Sequence, residues 1–143
     1  MKKVILFLSV CFLIACDKDK FETKPQIEVD SYNTKALPPN ATLVINLKFT
    51  DKEGDLGRGQ FTYLPVRLNR RRLPGDQDYF PIPLPIPDFT DHNNGKFELK
   101  MDWKFLHKSD RENDTINFKF VAVDRAGNIS DTVTSDQVVI LRQ

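Results

Sequence analysis

Apolar and polar residues alternate with period two along most of the chain after Gln26. In the segment 97–105, five apolar residues alternate with four charged ones, and the segments 43–50 and 116–122 repeat the alternation. This pattern is typical of strands that bury one face and expose the other, as in antiparallel sheets. Turn-forming residues separate the runs. The pattern therefore predicts about seven strands, near 26–32, 42–50, 60–68, 79–87, 96–105, 115–124 and 132–141.

Seven short strands in a domain 26–143 favour an all-β fold, an antiparallel two-sheet sandwich. A helical period is conceivable only in 103–110. The run 118–128, followed by Val133 and the apolar run 138–140, resembles the last two strands of bacterial immunoglobulin-like and fibronectin-III-like modules. That resemblance implies an immunoglobulin-like sandwich. The sequence has no cysteine pair in this domain, and Trp103 falls on the fifth predicted strand, so the exact topology stays open.

The segment 81–87 has proline at every second position. In an extended strand the missing N–H groups all fall on one edge, while Ile82, Leu84 and Ile86 keep donors on the other edge. We expect an edge strand whose outer side cannot pair with another chain, and whose three aliphatic side chains enter the core. A polyproline ligand for a partner's groove is the alternative.

The N-terminus has the pattern of a secretory signal. A positively charged start, Met1–Lys3, precedes an apolar run, 4–15, that is too short to span a bilayer as a helix. The run ends in Leu13-Ile14-Ala15-Cys16, which resembles the lipobox of bacterial lipoproteins of the Bacteroidetes type. The resemblance implies a signal peptide at 1–15, fatty acids such as palmitate on Cys16, and a place in the outer membrane. Exposure at the cell surface and a position on the periplasmic face are the two alternatives.

The residues 16–25 are polar, charged and without periodicity, and they predict a flexible tether. The formal net charge of the whole chain is +1, and removal of Lys2 and Lys3 with the signal would bring it to about −1. This balance argues against nucleic acid as a partner. Both cysteines, Cys11 and Cys16, lie at the start of the chain. The predicted domain therefore has no thiol for a disulfide or for redox chemistry.

Acidic residues concentrate in loops that would share one end of the sandwich if successive strands alternate in direction, namely 51–59, 88–95 and 125–131. Calcium binds six to eight oxygen ligands, and alternate acidic residues around a glycine can wrap it. The candidate calcium ligands are Asp51, Glu53, Asp55 and Asp124. The alternative is that acidic residues and glycines here only form turns. No other cofactor is expected.

Arginines concentrate at the opposite predicted end, in and beside the loops 33–41, 69–78 and 106–114. Guanidinium groups suit phosphate, sulfate or carboxylate groups. The candidate residues for an anionic ligand are Arg67, Arg70, Arg71 and Arg72. A solvated turn is the alternative.

No motif for catalysis accompanies the serine, histidine or acidic residues. The sequence therefore predicts a non-enzymatic, lipid-anchored binding or accessory module of the cell envelope, with a protein or glycan as its partner. The alternatives are a structural subunit of a larger envelope complex, and a small hydrolase that uses paired carboxylates. A glycan-binding face would need exposed aromatic side chains, for which the candidates are Tyr32, Tyr63, Tyr79 and Trp103.

Overall fold

Two β-sheets pack face to face in a computed structural model that describes residues 23–74 and 78–143. The predicted signal peptide 1–15, Cys16 and most of the predicted tether lie outside the described residues. Within those residues, no helix is long and apolar enough to cross a membrane. The elements are β1 (Gln26–Tyr32), β2 (Ala36–Leu37), β3 (Thr42–Thr50), β4 (Gln60–Arg67), β5 (Ile82–Pro85), β6 (Asn94–Asp102), α1 (Trp103–Leu106), β7 (Asp114–Val123), β8 (Val133–Thr134) and β9 (Val138–Ile140).

The first sheet has the strand order β1-β3-β6, and the second has the order β2-β9-β7-β4-β5, with β8 also paired to β7. All pairs are antiparallel except β2 with β9. If β1, β3, β4, β6, β7 and β9 are taken as strands A, B, C, E, F and G, the sheets are ABE and CFG. This is the division found in immunoglobulin-like sandwiches. The predicted all-β sandwich is confirmed.

The core lies between the inner faces of the two sheets, where the period-two pattern places its apolar residues. On β7, Ile116, Phe118, Phe120 and Ala122 are all fully buried, and every second residue of β3 from Leu43 to Phe49 is also buried. Aromatic rings join the sheets, because Phe61 of β4 lies 5.0 Å, between ring centroids, from Phe97 of β6. The predicted alternation therefore specifies which face of each long strand packs inward.

The predicted strand 96–105 is wrong at its end. The strand stops at Asp102 and the chain continues as the single-turn helix α1, in which Trp103 and Leu106 are buried. In a helix, residues three apart share a face, so Leu106 rather than Phe105 follows Trp103 into the core. Phe105 is consequently exposed. The indole Nε1 of Trp103 donates a hydrogen bond to the carbonyl of Leu141 at 2.7 Å.

The predicted last strand, 132–141, is divided into β8 and β9. Side chains take over the pairing with β7 where the strand is interrupted. The hydroxyl of Ser130 accepts the N–H of Ala122, and the hydroxyl of Ser135 accepts the N–H of Phe118, both from buried positions. Because these two hydroxyls satisfy the backbone of β7, the interruption leaves neither donor unpaired.

The proline-rich segment forms the edge strand β5, as predicted. Ile86 follows β5, donates its N–H to the carbonyl of Gly59 at 3.0 Å, and is buried. The expectation that all three aliphatic side chains enter the core is only partly correct, since Ile82 is half-buried and Leu84 is 36% exposed. The prolines remove the donors on the outer side of this edge.

Candidate functional site

The loops lie at the two ends of the sandwich as the alternation of strands predicts. At one end the N–H of Asp51 donates to the carbonyl of Asn93, and the N–H of Arg125 donates to the carbonyl of Asp55. At the other end Asn69 donates from its side chain to the carbonyl of Asn113. The nine residues of β3 separate these ends by about 27 Å. We refer to them as the acidic end and the arginine end.

At the acidic end Asp51 holds its own loop together. Its carboxylate is buried and accepts hydrogen bonds from the N–H groups of Glu53, Asp55 and Leu56, at 3.3, 2.8 and 2.8 Å. A carboxylate with this many backbone donors is satisfied without a cation. Of the four candidate calcium ligands, Asp51 therefore holds the loop 51–59 in its conformation and needs no cation to satisfy its carboxylate.

The other three candidates come together. Carboxylate oxygens of Glu53, Asp55 and Asp124 all lie within 4.8 Å of one another. Glu53 is exposed, Asp55 is half-buried and Asp124 is buried. We call these three residues the acidic cluster. They come from the loop 51–59 and from the end of β7, so the contact between two distant chain segments creates the cluster.

Hydrogen bonds fix two members of the acidic cluster. Asp124 accepts from the backbone N–H and the side-chain amide of Asn128, both at 2.8 Å. Asp55 accepts the N–H of Ala126 at 3.1 Å through Oδ2, whereas its Oδ1 is buried with no hydrogen-bond partner among the described residues. Both carboxylates are thus held in place from one side, and Asp55 keeps a free oxygen.

The ionised form of Asp55 is disfavoured by its position in the acidic cluster. Burial raises the pKa of Asp55, and the negative charges of Asp124 and Asp51 raise it further, whereas the N–H of Ala126 lowers it. Like charges held close together favour either protonation or a bound cation. Three carboxylates supply only part of the shell of six to eight oxygens that calcium requires, so carbonyl groups and solvent would complete it.

The remaining acidic residues of this end are engaged elsewhere. Asp88 is ion-paired with Arg58 at 2.6 Å, and Asp131 is ion-paired with Lys24 at 3.2 Å. Asp91 accepts the N–H of Asn93 at 3.0 Å. The pKa of Asp88 is lowered, chiefly by its hydrogen bond from Arg58. None of these three belongs to the acidic cluster.

At the arginine end Arg67 is part of the architecture. Its side chain is 9% exposed, and its Nε donates to Asp114 at 2.5 Å while an Nη donates to Glu112 at 2.6 Å. It also donates to the carbonyl of Arg71. Burial acts to lower the pKa of Arg67, but the hydrogen bonds that it donates to Asp114 and Glu112 outweigh burial and raise the pKa. Asp114, which is fully buried, also accepts the N–H groups of Lys108 and Ser109.

The other arginines differ in their positions. Arg71 and Arg72 are exposed and line a cleft of about 440 Å³ together with Lys108 and Arg111, whereas Arg70 is exposed and does not line it. Within the described ranges, the acidic residue in the lining is Asp110. We call this space the arginine cleft. Because Arg67 is already paired with two carboxylates, the charge available to a ligand comes from the other four cations.

The sequence pattern missed an aromatic wall beside the arginine cleft. Phe80 is 64% exposed and Phe105 is 36% exposed, and both line an adjoining cavity of about 600 Å³. Lys108 lies over the rings of Tyr79 and Phe105, at 5.1 and 5.8 Å from the ring centroids, and lines both cavities. Phe105 was expected in the core, and only its place in α1 brings it to the surface.

The four residues proposed as a glycan platform do not form one. Tyr63 and Trp103 are buried, and Tyr32 and Tyr79 are half-buried against the core. The hydroxyl of Tyr79 donates to the carbonyl of Leu106 at 2.5 Å, and burial raises the pKa of Tyr79, with a contribution from the charge of Asp114. Tyr63 and Trp103 therefore serve packing, whereas Tyr79 also lines the cavity beside the arginine cleft.

No protein-family model matches the sequence, and no curated protein is significantly similar to it.

The acidic cluster predicts a response to calcium that depends on Asp55. Millimolar calcium should raise the melting temperature of the full chain relative to chelator, by about 2–5 °C. Asp55→Asn should raise the melting temperature without calcium, because the amide can donate to Asp124, and should remove the response to calcium. Asp110→Asn, at the arginine end, is the control and should keep the response. An unchanged melting temperature with calcium in the unaltered chain would exclude the site.

The same substitution has a predicted pH dependence. The pKa of Asp55 is raised in the folded state, so its ionised form costs stability at neutral pH, and this cost disappears as the pH falls through the folded pKa towards the unfolded value near 3.9. Without calcium, the stability advantage of Asp55→Asn should therefore be largest at pH 7 and vanish below about pH 4. An advantage that stays constant over this range would contradict the raised pKa.

Arg67→Met should be strongly destabilising. It leaves the buried carboxylate of Asp114 without its cation, and loss of one partner of a buried pair costs about 3–5 kcal/mol in the free energy of unfolding. Urea denaturation measures this change. Arg72→Met, at an exposed position nearby, should change the free energy of unfolding by less than about 0.5 kcal/mol. Similar values for the two variants would refute the structural role of Arg67.

Proposed function

We propose that this protein is a lipid-anchored lipoprotein of the bacterial cell envelope that acts without catalysis, as a binding or accessory module at the outer membrane. The feature that carries the proposal is the lipobox-like sequence Leu13–Cys16 after a charged start and an apolar run of signal-peptide length. Cys16 would carry the lipid. Two or more acyl chains on one residue would hold the chain stably, whereas one chain holds a protein only marginally.

The start of the folded domain supports this arrangement. β1 begins at Gln26, Pro25 just before it is buried, and Lys24 forms an ion pair with Asp131. The part of the chain held by the domain therefore begins at Lys24, and the seven residues 17–23 between it and Cys16 would, as a flexible segment, have a root-mean-square reach of roughly 13–16 Å. An anchor at Cys16 would keep the sandwich close to the membrane without burying any part of it.

The anchor is tested by replacing Cys16. Cys16→Ser should abolish incorporation of labelled palmitate and move the protein from the membrane pellet to the soluble fraction, because the sulfur is the proposed attachment point. Cys11→Ser is the matched control, since Cys11 lies in the segment proposed to be removed. It should leave both labelling and fractionation unchanged. If the Cys16→Ser variant still incorporated palmitate and stayed in the membrane fraction, the proposal would be refuted.

A second proposed activity is the binding of an anionic ligand in the arginine cleft. Arg71, Arg72, Lys108 and Arg111 line one cleft, and Asp110 is the single acidic side chain that the described residues contribute to it. Guanidinium groups bind sulfate, phosphate and carboxylate through paired hydrogen bonds. The exposed rings of Phe80 and Phe105 next to the cleft favour a ligand that also has an apolar part.

A dextran sulfate column tests the arginine cleft. The double variant Arg71→Ala with Arg72→Ala should elute at a clearly lower salt concentration than the unaltered chain, because two charges of one site are lost. Lys52→Ala with Lys119→Ala removes the same charge from exposed positions elsewhere and should elute close to the unaltered chain. Equal elution of the two double variants would show that any retention reflects overall charge alone.

The alternative of a structural subunit rests on a different feature, the edges of the sheets. Sheet edges are surfaces through which one chain adds to another. The outer edge of β6 differs from the other edges, because β6 is a long strand without proline or a bulge.

A further inference from the structure

The first sheet ends in β6, whose outer edge pairs with no strand among the described residues. We propose that this edge pairs antiparallel with the β6 of a second copy of the chain, in a register centred on Leu99. The two three-stranded sheets would then form one continuous sheet across a two-fold axis. The pairing follows from the strand itself and does not depend on the lipid anchor or on a ligand.

The other edge strands of the sandwich are protected. β1 carries a bulge between Val29 and Ser31, β2 and β8 have only two residues each, and β5 carries prolines that remove the outward donors. Such features are the usual means by which proteins prevent pairing between sheet edges. β6 has none of them: it has nine residues, no proline and an unbroken register with β3 from Asn94 to Asp102.

The hydrogen bonds to β3 show which residues of β6 face the free edge. The carbonyl of Asn93 accepts the N–H of Asp51, and the N–H of Trp103 donates to the carbonyl of Ala41, so odd-numbered residues bond towards β3. The direction of the N–H and C=O groups alternates along a strand. The even-numbered residues from Lys96 to Lys100 therefore direct their N–H and C=O groups away from β3.

The alternation of even-numbered and odd-numbered residues limits the possible registers between the two copies of β6. Even-numbered residues must face even-numbered residues of the second copy, and the charges decide among the registers that remain. A centre at Leu99 places Lys96 opposite Asp102 and Glu98 opposite Lys100, so that opposite charges face each other in every pair. A centre at Glu98 places Lys96 opposite Lys100, and a centre at Lys100 places Glu98 opposite Asp102. Like charges directly opposite are destabilising. Centres at Phe97 and Met101 avoid like charges within the strand but form only half as many opposite-charge pairs as the centre at Leu99.

An apolar groove runs beside the free edge. It has a volume of about 400 Å³ and lies between β5 and β6, where Phe61, Leu84, Ile86 and Phe97 line it. Phe97 is half-buried and Leu84 is 36% exposed. In the register centred on Leu99, Phe97 faces Met101 of the second copy on the inner side of the sheet. The pairing would thus reduce the exposure of Phe97, which adds a hydrophobic contribution to the hydrogen bonds.

The two-fold symmetry of the proposed pair is compatible with the anchoring of both chains in one membrane. Antiparallel pairing of equivalent strands in one sheet places the two-fold axis normal to that sheet. Points related by such an axis lie at the same height along it, so the starts of both domains, at Gln26, would be equally far from a surface normal to the axis. This consequence, unlike the pairing, rests on the proposed anchor at Cys16.

Charge reversal tests the pairing. The full chain in detergent, with micelles in excess, is examined by sedimentation equilibrium between about 10 µM and 1 mM, the range expected for a small interface. The unaltered chain should dimerise within it. Glu98→Lys alone or Lys100→Glu alone should weaken dimerisation at least about tenfold, because each places like charges opposite each other. The double variant Glu98→Lys with Lys100→Glu should restore it to within about threefold.

Two further variants distinguish an effect on dimerisation from an effect on the stability of the fold. Glu98→Pro removes an N–H that faces the free edge, so it should abolish dimerisation while the melting temperature stays within a few degrees of the unaltered value. Lys119→Glu, which reverses an exposed charge on β7, should leave dimerisation unchanged. A monomer throughout the concentration range, single reversals without effect, or a double variant that fails to dimerise would each overturn the proposal. Pairing of β6 with a different protein instead would appear as the first of these outcomes.

Discussion

The burial of β7 is the constraint on which the rest of this structure depends. β7 pairs with β4 on one side and with β8 and β9 on the other, and its inward residues from Ile116 to Ala122 are fully buried. A strand with both edges paired and one face in the core can move only if both sheets move. Its first residue, Asp114, and the residue that directly follows it, Asp124, are buried with it. Each of these carboxylates then organises the loops at one end of the sandwich.

The buried carboxylates fall into two groups that differ in what satisfies them. Asp51 and Asp114 are surrounded by backbone N–H groups, and Asp114 also has the guanidinium of Arg67, so they stabilise the loops that they hold. Asp124 is held from one side by Asn128, and the carboxylate of Asp55 nearby retains a buried oxygen without a donor. Unpaired charge of this kind is costly in a folded protein. The acidic end can therefore gain from a cation, whereas the buried part of the arginine end is already neutralised.

The period-two pattern predicted most strands because side chains alternate strictly along an extended chain. It failed where a local turn changes the period. The apolar residues from Phe97 to Phe105 continue the strand pattern without a break, yet the chain turns into α1 after Asp102, which exposes Phe105 and buries Leu106. The short strand β2 was also missed, since two residues carry no periodicity. For the candidate sites, the residue types were predictable and their partners were not: Arg67 belongs to the predicted arginine group but is bound by Glu112 and Asp114.

The sequence by itself determined the class of fold, the faces of the long strands and the end of the sandwich at which each charged loop lies. The faces of the strands follow from the alternation of residue types, which is a local property. The ends at which the loops lie follow from the short connections, which make successive strands run in opposite directions. Tertiary structure alone decided which charged groups meet. Glu53 and Asp55 reach Asp124 only because two distant segments pack together. Likewise, β6 is an edge strand because the order of strands in its sheet places β3 on one side of it and no described strand on the other. Contacts between distant segments depend on how the two sheets pack, and no short run of residues records that.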